Sequence, residues 1–136
     1  MKYVLDTNII VAALNGYERV MTRLRAVALD DVGIPLLAVG ELLYGAYNSR
    51  RVAENIAKVE ALRSRFPVIA VTPAIVERYA EVRAGLAKQG RPKGDFDLVI
   101  AASALEVRAR LITNDAALKD GAIAGLSVED WLEDVG

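Results

Sequence analysis

Lys2-Tyr3-Val4-Leu5-Asp6-Thr7-Asn8 opens the chain with a short apolar run that stops at a carboxylate. Two small polar residues follow, and a second apolar run starts at Ile9. The pattern predicts a buried strand with Asp6 at its C-terminal tip, then a helix capped by Thr7 or Asn8. In open α/β sheets, ligands gather just outside the C-terminal ends of the strands. Asp6 therefore stands where chemistry concentrates, and what matters next is which other groups converge on it.

The same alternation repeats downstream. Helices are expected over 9–14 and 18–29, the second with an apolar stripe of Val20, Leu24, Val27 and Ala28. Residues 32–34 read as a minimal strand. Pro35 suits the first turn of a helix reaching Tyr47, where its missing N–H costs nothing. That helix is expected to bury Leu36, Val39, Leu43 and Ala46. Another helix extends to Arg65, residues 66–71 form a strand, and Thr72-Pro73 starts a helix carrying Ile75, Tyr79, Val82 and Leu86. Residues 89–94 are a basic loop rich in breakers, after which Asp95 caps a helix over 96–108. A strand over 111–113 ends in Thr113-Asn114-Asp115. One helical turn follows at 116–119, and a last strand at 127–128. Strands alternate with helices and no tight hairpin signal appears. The expected fold is α/β, a short, mostly parallel central sheet covered by helices on both faces, in one domain over 1–136.

Composition narrows the chemistry. The 136 residues suffice for one domain with a real core. No stretch approaches the roughly 20 apolar residues of a membrane span, and Asp6 interrupts any leader-like start, so a cytoplasmic location is expected. The chain has no cysteine, which removes disulfides, zinc thiolates and cysteine nucleophiles. It has no histidine either, which removes the commonest general base, the Ser-His-Asp relay and every imidazole metal site. The net charge of −1 hides an asymmetry: residues 50–93 carry +6 and residues 94–136 carry −6. A basic middle suits contact with a polyanion, and equally two solvated helical faces.

Four acids stand among residues that would normally exclude them. Asp6 ends a buried strand, Glu41 sits among Leu37, Val39, Leu42 and Leu43, and Asp97 opens an otherwise apolar or small helix. Asp115 follows the strand ending at Thr113. Each has an ordinary alternative: Asp6 as a helix cap, Glu41 on an exposed helix face, Asp97 serving the helix dipole, Asp115 in a turn. As a set without histidine, they would repel one another unless a cation neutralised them. Oxygen-only ligation points to Mg²⁺ or Mn²⁺.

Five stretches carry a family resemblance in order across the chain. They are Leu-Asp-Thr-Asn at 5–8, Glu-Leu-Leu-Tyr-Gly-Ala at 41–46, Asp-Leu-Val-Ile-Ala-Ala at 97–102, Leu-Ile-Thr-Asn-Asp at 111–115 and Gly-Leu-Ser-Val-Glu-Asp-Trp at 125–131. In these the chain resembles PIN-domain ribonucleases of the VapC toxin type. The resemblance implies a three-layer PIN fold and a Mg²⁺-dependent endoribonuclease, with Mn²⁺ able to substitute, that cuts structured RNA such as a tRNA or an rRNA loop. It implies a homodimer, a cognate VapB-type antitoxin, and operator DNA reached only through that antitoxin. Matched by residue, Asp6, Glu41 and Asp97 would be the central catalytic and metal-binding acids. Asp115 would be the fourth, at a position the family fills with Asp or Asn. Thr7, Asn8 and Thr113 would support them by hydrogen bonds. Two departures are visible: Ser103 where many relatives have histidine, and Leu118 near a usual aromatic.

A cation held by these acids would lower the pKa of a bound water for attack on a phosphodiester. Arg50, Arg51, Lys88, Arg91 and Lys93 are candidates for an RNA-binding rim. Tyr44 and Tyr47 suit base stacking or a dimer interface. The alternative function is an operator-binding regulatory partner with vestigial catalysis, against which the complete acid set argues. No P-loop or dinucleotide fingerprint is present.

Overall fold

The computed structural model describes residues 1–133; residues 134–136, the last of the expected domain, lie outside the described residues. Five strands form one sheet: β1 (Tyr3–Leu5), β2 (Val32–Pro35), β3 (Val68–Ile69), β4 (Arg110–Ile112) and β5 (Val128–Glu129). Their order is β3-β2-β1-β4-β5, and every neighbouring pair is parallel. The seven described α-helices are α1 (Thr7–Leu14), α2 (Glu18–Arg25), α3 (Leu36–Tyr47), α4 (Val52–Arg65), α5 (Pro73–Lys88), α6 (Asp95–Val107) and α7 (Ala116–Lys119). They cover the sheet in the three-layer α/β arrangement expected of an all-parallel sheet buried on both faces. Among the described residues no helix is long and apolar enough to cross a membrane.

The chain runs from β1 outward to β2 and β3, then returns to the other side of β1 for β4 and β5. The direction of winding therefore reverses between β1 and β4. Leu5 pairs with Ile112 in the register, and Asp6 N donates to Ile112 O at 2.9 Å. That puts Asp6 and Thr113 side by side at the C-terminal tips of adjacent strands, the topological switch point at which such sheets bind ligands. Val4, Leu5, Leu111 and Ile112 are buried beneath them, each full burial contributing about 1.5–3 kcal/mol.

Several boundaries differ from the sequence reading. Helix α1 starts at Thr7, because Asp6 itself is the cap: its Oδ1 accepts from Thr7 N at 2.8 Å. Helix α2 stops at Arg25 and Ala28 is exposed. Pro35 closes β2 and caps α3 instead of lying in its first turn. The buried face of α3 is then Ala38, Val39, Leu42 and Ala46, leaving Leu36 exposed. Gly94, not Asp95, caps α6; the Asp95 carboxylate is taken instead by Tyr79 Oη at 2.7 Å and by Arg83 at 3.2 Å. Helix α6 buries Leu98, Ile100, Ala101, Ala102, Ser103 and Ala104, too many consecutive residues for an amphipathic stripe. It is an interior helix, packed along α5 and against β1 and β4.

Candidate metal centre

Asp6 is 4% exposed, and both carboxylate oxygens have protein donors. Oδ1 takes the Thr7 amide, and Oδ2 accepts from Thr113 Oγ1 at 2.7 Å. Each oxygen keeps a further lone pair for another ligand. Burial holds the Asp6 carboxyl above its ordinary pKa, and the charge of Asp115 adds to this; the hydrogen bonds from Thr113 and Thr7 work against them. Thr7 serves twice, since its hydroxyl donates to Glu41 Oε1 at 2.8 Å from the start of α1 to the half-buried face of α3.

Asp97 lies in the first turn of α6 and is half-buried. Its carboxyl is pushed up to about 6, first by burial and then by the charges of Asp6, Asp115 and Glu41, with a hydrogen bond to Asp115. Asp115 caps α7 through Oδ1, which accepts from Ala117 N at 2.9 Å, while its own N–H donates to Thr113 Oγ1 at 3.0 Å. A single electrostatic unit thus joins acids from four segments spread over 110 residues. No ion pair among the described residues reaches any of the four. Nor, among the described residues, do three or more acids stand in a group that could hold a metal ion as they are placed. The set is open, all-oxygen and uncompensated. In charge and donor type, though not in its present spacing, it suits a hard divalent cation, which would offset the charges that act with burial to raise Asp97.

A PIN domain family model matches residues 3–123. The chain is 31% identical over 131 residues to the tRNA(fMet)-specific endonuclease VapC of Shigella flexneri, covering 96% of this chain and 98% of that protein. The chain belongs to the PIN domain family, in its VapC branch. It is 32% identical to Ribonuclease VapC1 of Haemophilus influenzae (strain R2866), with coverage of 96% and 98%. Its fold superposes on the crystal structure of VapBC2 from Rickettsia felis bound to a promoter DNA fragment with a TM-score of 0.87, at 32% identity over 96% of this chain and 99% of that one. The membership makes the chain a nuclease.

Within the PIN domain, the other residues singled out in the sequence fall in different places. Thr7 and Thr113 hold carboxylates directly. Asn8 does not: its Oδ1 accepts from Asn114 N at 3.3 Å and so steadies the β4–α7 turn. Arg50 and Lys88 are exposed, Arg51 is exposed and pairs with Glu54 at 3.4 Å, and Arg91 reaches Asp120 at 3.1 Å. Lys93 departs from the expected rim. Its side chain is 4% exposed, with Nζ 2.6 Å from Asp120 Oδ2, so its ammonium is already spent on a protein carboxylate. Tyr44 and Tyr47 are both largely exposed. Ser103 is buried and donates to Val99 O at 2.8 Å within its own helix, and Leu118 is a core residue.

Asp130, Asn114 and Lys119 form a network that sequence reasoning missed. Asp130 Oδ2 accepts from Asn114 Nδ2 and from Lys119 Nζ, both at 2.8 Å, and Oδ1 accepts from Leu132 N at 2.8 Å. Burial alone would raise this carboxyl, but those hydrogen bonds outweigh it and hold the group below its ordinary value. Asp130 sits in the 125–131 stretch that carried the resemblance, so a signal existed. Asp120 had none.

Proposed function

We propose that the chain is a Mg²⁺-dependent endoribonuclease, with Mn²⁺ able to substitute, acting in the cytoplasm as the toxin of a toxin–antitoxin pair. The observation that carries this is the convergence of four acids: Thr7 bonds Asp6 and Glu41, Thr113 bonds Asp6 and the Asp115 amide, and Asp97 is raised by burial and then by the charges of the other three. Asp6, Glu41 and Asp97 would hold the cation, with Asp115 as fourth donor. The chemistry a divalent cation supplies there is activation of a water nucleophile and offset of the charge that develops on the phosphate. The chain's own contribution is preorganisation. Thr113 and the Thr7 amide fix both oxygens of Asp6, the Thr7 hydroxyl fixes Glu41, and Asp115 is held by its cap bond to α7.

The substrate class is structured RNA, a tRNA or an rRNA loop. The initiator tRNA in the Shigella relative's name is the first substrate to try. Arg50 and Lys88 are exposed cations for RNA phosphates, and the exposed Arg51 and Arg91 could join them by leaving Glu54 and Asp120. A cognate VapB-type antitoxin is the partner, and operator DNA is reached only through it; the Rickettsia felis VapBC2 structure holds a promoter DNA fragment. An apolar groove of about 540 Å³ between α1, α2 and α4, rimmed by Arg25, Lys58 and Arg65, offers such a partner a surface separate from the acids. Exposed Tyr44 and Tyr47 on α3 suit a homodimer contact.

The test is purified protein with Mg²⁺ against total cellular RNA, comparing the wild type with Asp97→Asn. Cutting that survives EDTA, or that the variant matches, overturns the reading. Expression without the antitoxin should arrest growth, and Asp6→Ala should abolish the arrest.

A further inference from the structure

We infer that the Lys93–Asp120 ion pair is a positioning clamp that fixes Asp97 relative to Asp115, and through that spacing sets the affinity of the site for its divalent cation. The inference rests on the reading of the four acids as a cation site. Lys93 lies in the loop that leads into α6, four residues before Asp97. Asp120 directly follows α7, five residues after Asp115. The pair therefore ties together the two segments that carry these acids. Asp120 Oδ2 receives both Lys93 Nζ at 2.6 Å and Arg91 at 3.1 Å, and Oδ1 accepts from Ala122 N at 2.9 Å. Both oxygens are thus engaged, and the hydrogen bond from Lys93 is the main reason the Asp120 carboxyl sits below its ordinary range.

Like charges at Asp97 and Asp115 push their two segments apart; α6 is held by its packing on α5, β1 and β4, so resistance is weakest at α7 and at the loop that enters α6. Helix α7 has four residues, and α6 is entered from a loop with breakers at Gly90, Pro92 and Gly94. The far side of α7 is anchored as well, because Lys119 and Asn114 both reach Asp130. The Lys93 clamp adds a restraint from the loop that leads into α6. An exposed ion pair would be too weak for this. The Lys93 side chain is only 4% exposed, however, although Asp120 is partly open to solvent, so losing the carboxylate leaves a largely desolvated cation short of its partner, which is unfavourable.

The test is Mn²⁺ binding to the full chain by calorimetry, alongside RNA cleavage kinetics, for Lys93→Met, Asp120→Asn and the double variant. Each single change should weaken Mn²⁺ binding roughly 10-fold, the scale at which residues supporting metal ligands act. The double variant should be no weaker than either single one, KM for RNA should stay unchanged, and Asp120→Glu should recover most of the affinity. An unchanged Mn²⁺ Kd in either single variant overturns the clamp. So does a split in which Lys93→Met raises the RNA KM while Asp120→Asn lowers it, since that makes Lys93 an RNA contact. Asp120→Asn is isosteric and keeps the Ala122 bond, so it carries the test if Lys93→Met does not fold. A wild type that binds no Mn²⁺ overturns the cation reading itself, and is recognised in the wild-type titration alone.

Discussion

Thr113 Oγ1 donates to Asp6 Oδ2 at 2.7 Å and accepts from Asp115 N at 3.0 Å. One fully buried hydroxyl thus orients a strand-end carboxylate and, through the backbone, the residue carrying another. Thr113→Val keeps the shape and removes both bonds, leaving a carboxylate oxygen and an amide short of a partner. A hydrogen bond to a charged group is worth about 1.5–3 kcal/mol, and that is the expected loss at neutral pH. Burial already raises the Asp6 carboxyl, and losing the Thr113 bond should raise it further. Urea denaturation measures the loss, and Thr113→Ser should recover most of it.

Asp97 links stability to pH with a definite sign. Its carboxyl is raised from 3.8 to about 6 by burial first, then by Asp6, Asp115 and Glu41. The folded state therefore binds this proton more tightly than the unfolded chain does. Between those values the folded state holds the extra proton, so stability falls as pH rises through about 6. In EDTA, Asp97→Asn should melt higher than the wild type at about pH 7, with the gap closing toward about pH 4. Equal melting temperatures at neutral pH would show that neither burial nor repulsion penalises this carboxylate. The same substitution should abolish RNA cutting, a gain in stability at the expense of function.

A divalent cation should reverse that destabilisation. Saturating the wild type with Mn²⁺ at about 100 times its Kd should stabilise it by about 2.7 kcal/mol, and Asp97→Asn by much less. Protons compete with the cation for Asp97, so the stabilisation should shrink as pH falls through about 6. Melting curves with and without MnCl₂ across that range measure both effects. A pH-independent shift would place the ion elsewhere.

Asp6, Glu41, Asp97 and Asp115 could be singled out in the sequence because each is a charge in apolar or strand-end surroundings, a local signal. The parallel sheet was legible for the same reason, from alternating short apolar runs and helical stripes. What the sequence hid is non-local. Nothing near Lys93 says that its ammonium meets Asp120, 27 residues on, instead of water, so it reads as one more cation of a basic loop. Asn8 reads as a partner of the acids, yet meets Asn114 N across 106 residues. Asp6 shows a limit of a different kind. Capping and ligation read as alternatives, but a carboxylate has lone pairs enough for the cap bond to Thr7 and a further ligand.

Trp131 offers a test of how the C-terminal segment supports the site. It is 2% exposed, and its ring lies 5.5 Å from that of Tyr3 at an interplanar angle of 58°. Its Nε1 is buried and has no acceptor among the described residues. A buried donor without a partner costs about 1–3 kcal/mol. Trp131→Phe loses some apolar contact but also removes that cost, so the net destabilisation should be small, about 1 kcal/mol or less. Trp131→Ala should cost about 3–5 kcal/mol. Trp131 also anchors the segment that brings Asp130 to Asn114 and Lys119. The Ala variant should therefore need more Mg²⁺ for half-maximal cutting, while the Phe variant should match the wild type. Urea titrations and Mg²⁺ titrations of cleavage separate the two effects. A Phe variant as unstable as the Ala variant would mean that the indole N–H finds an acceptor in solution.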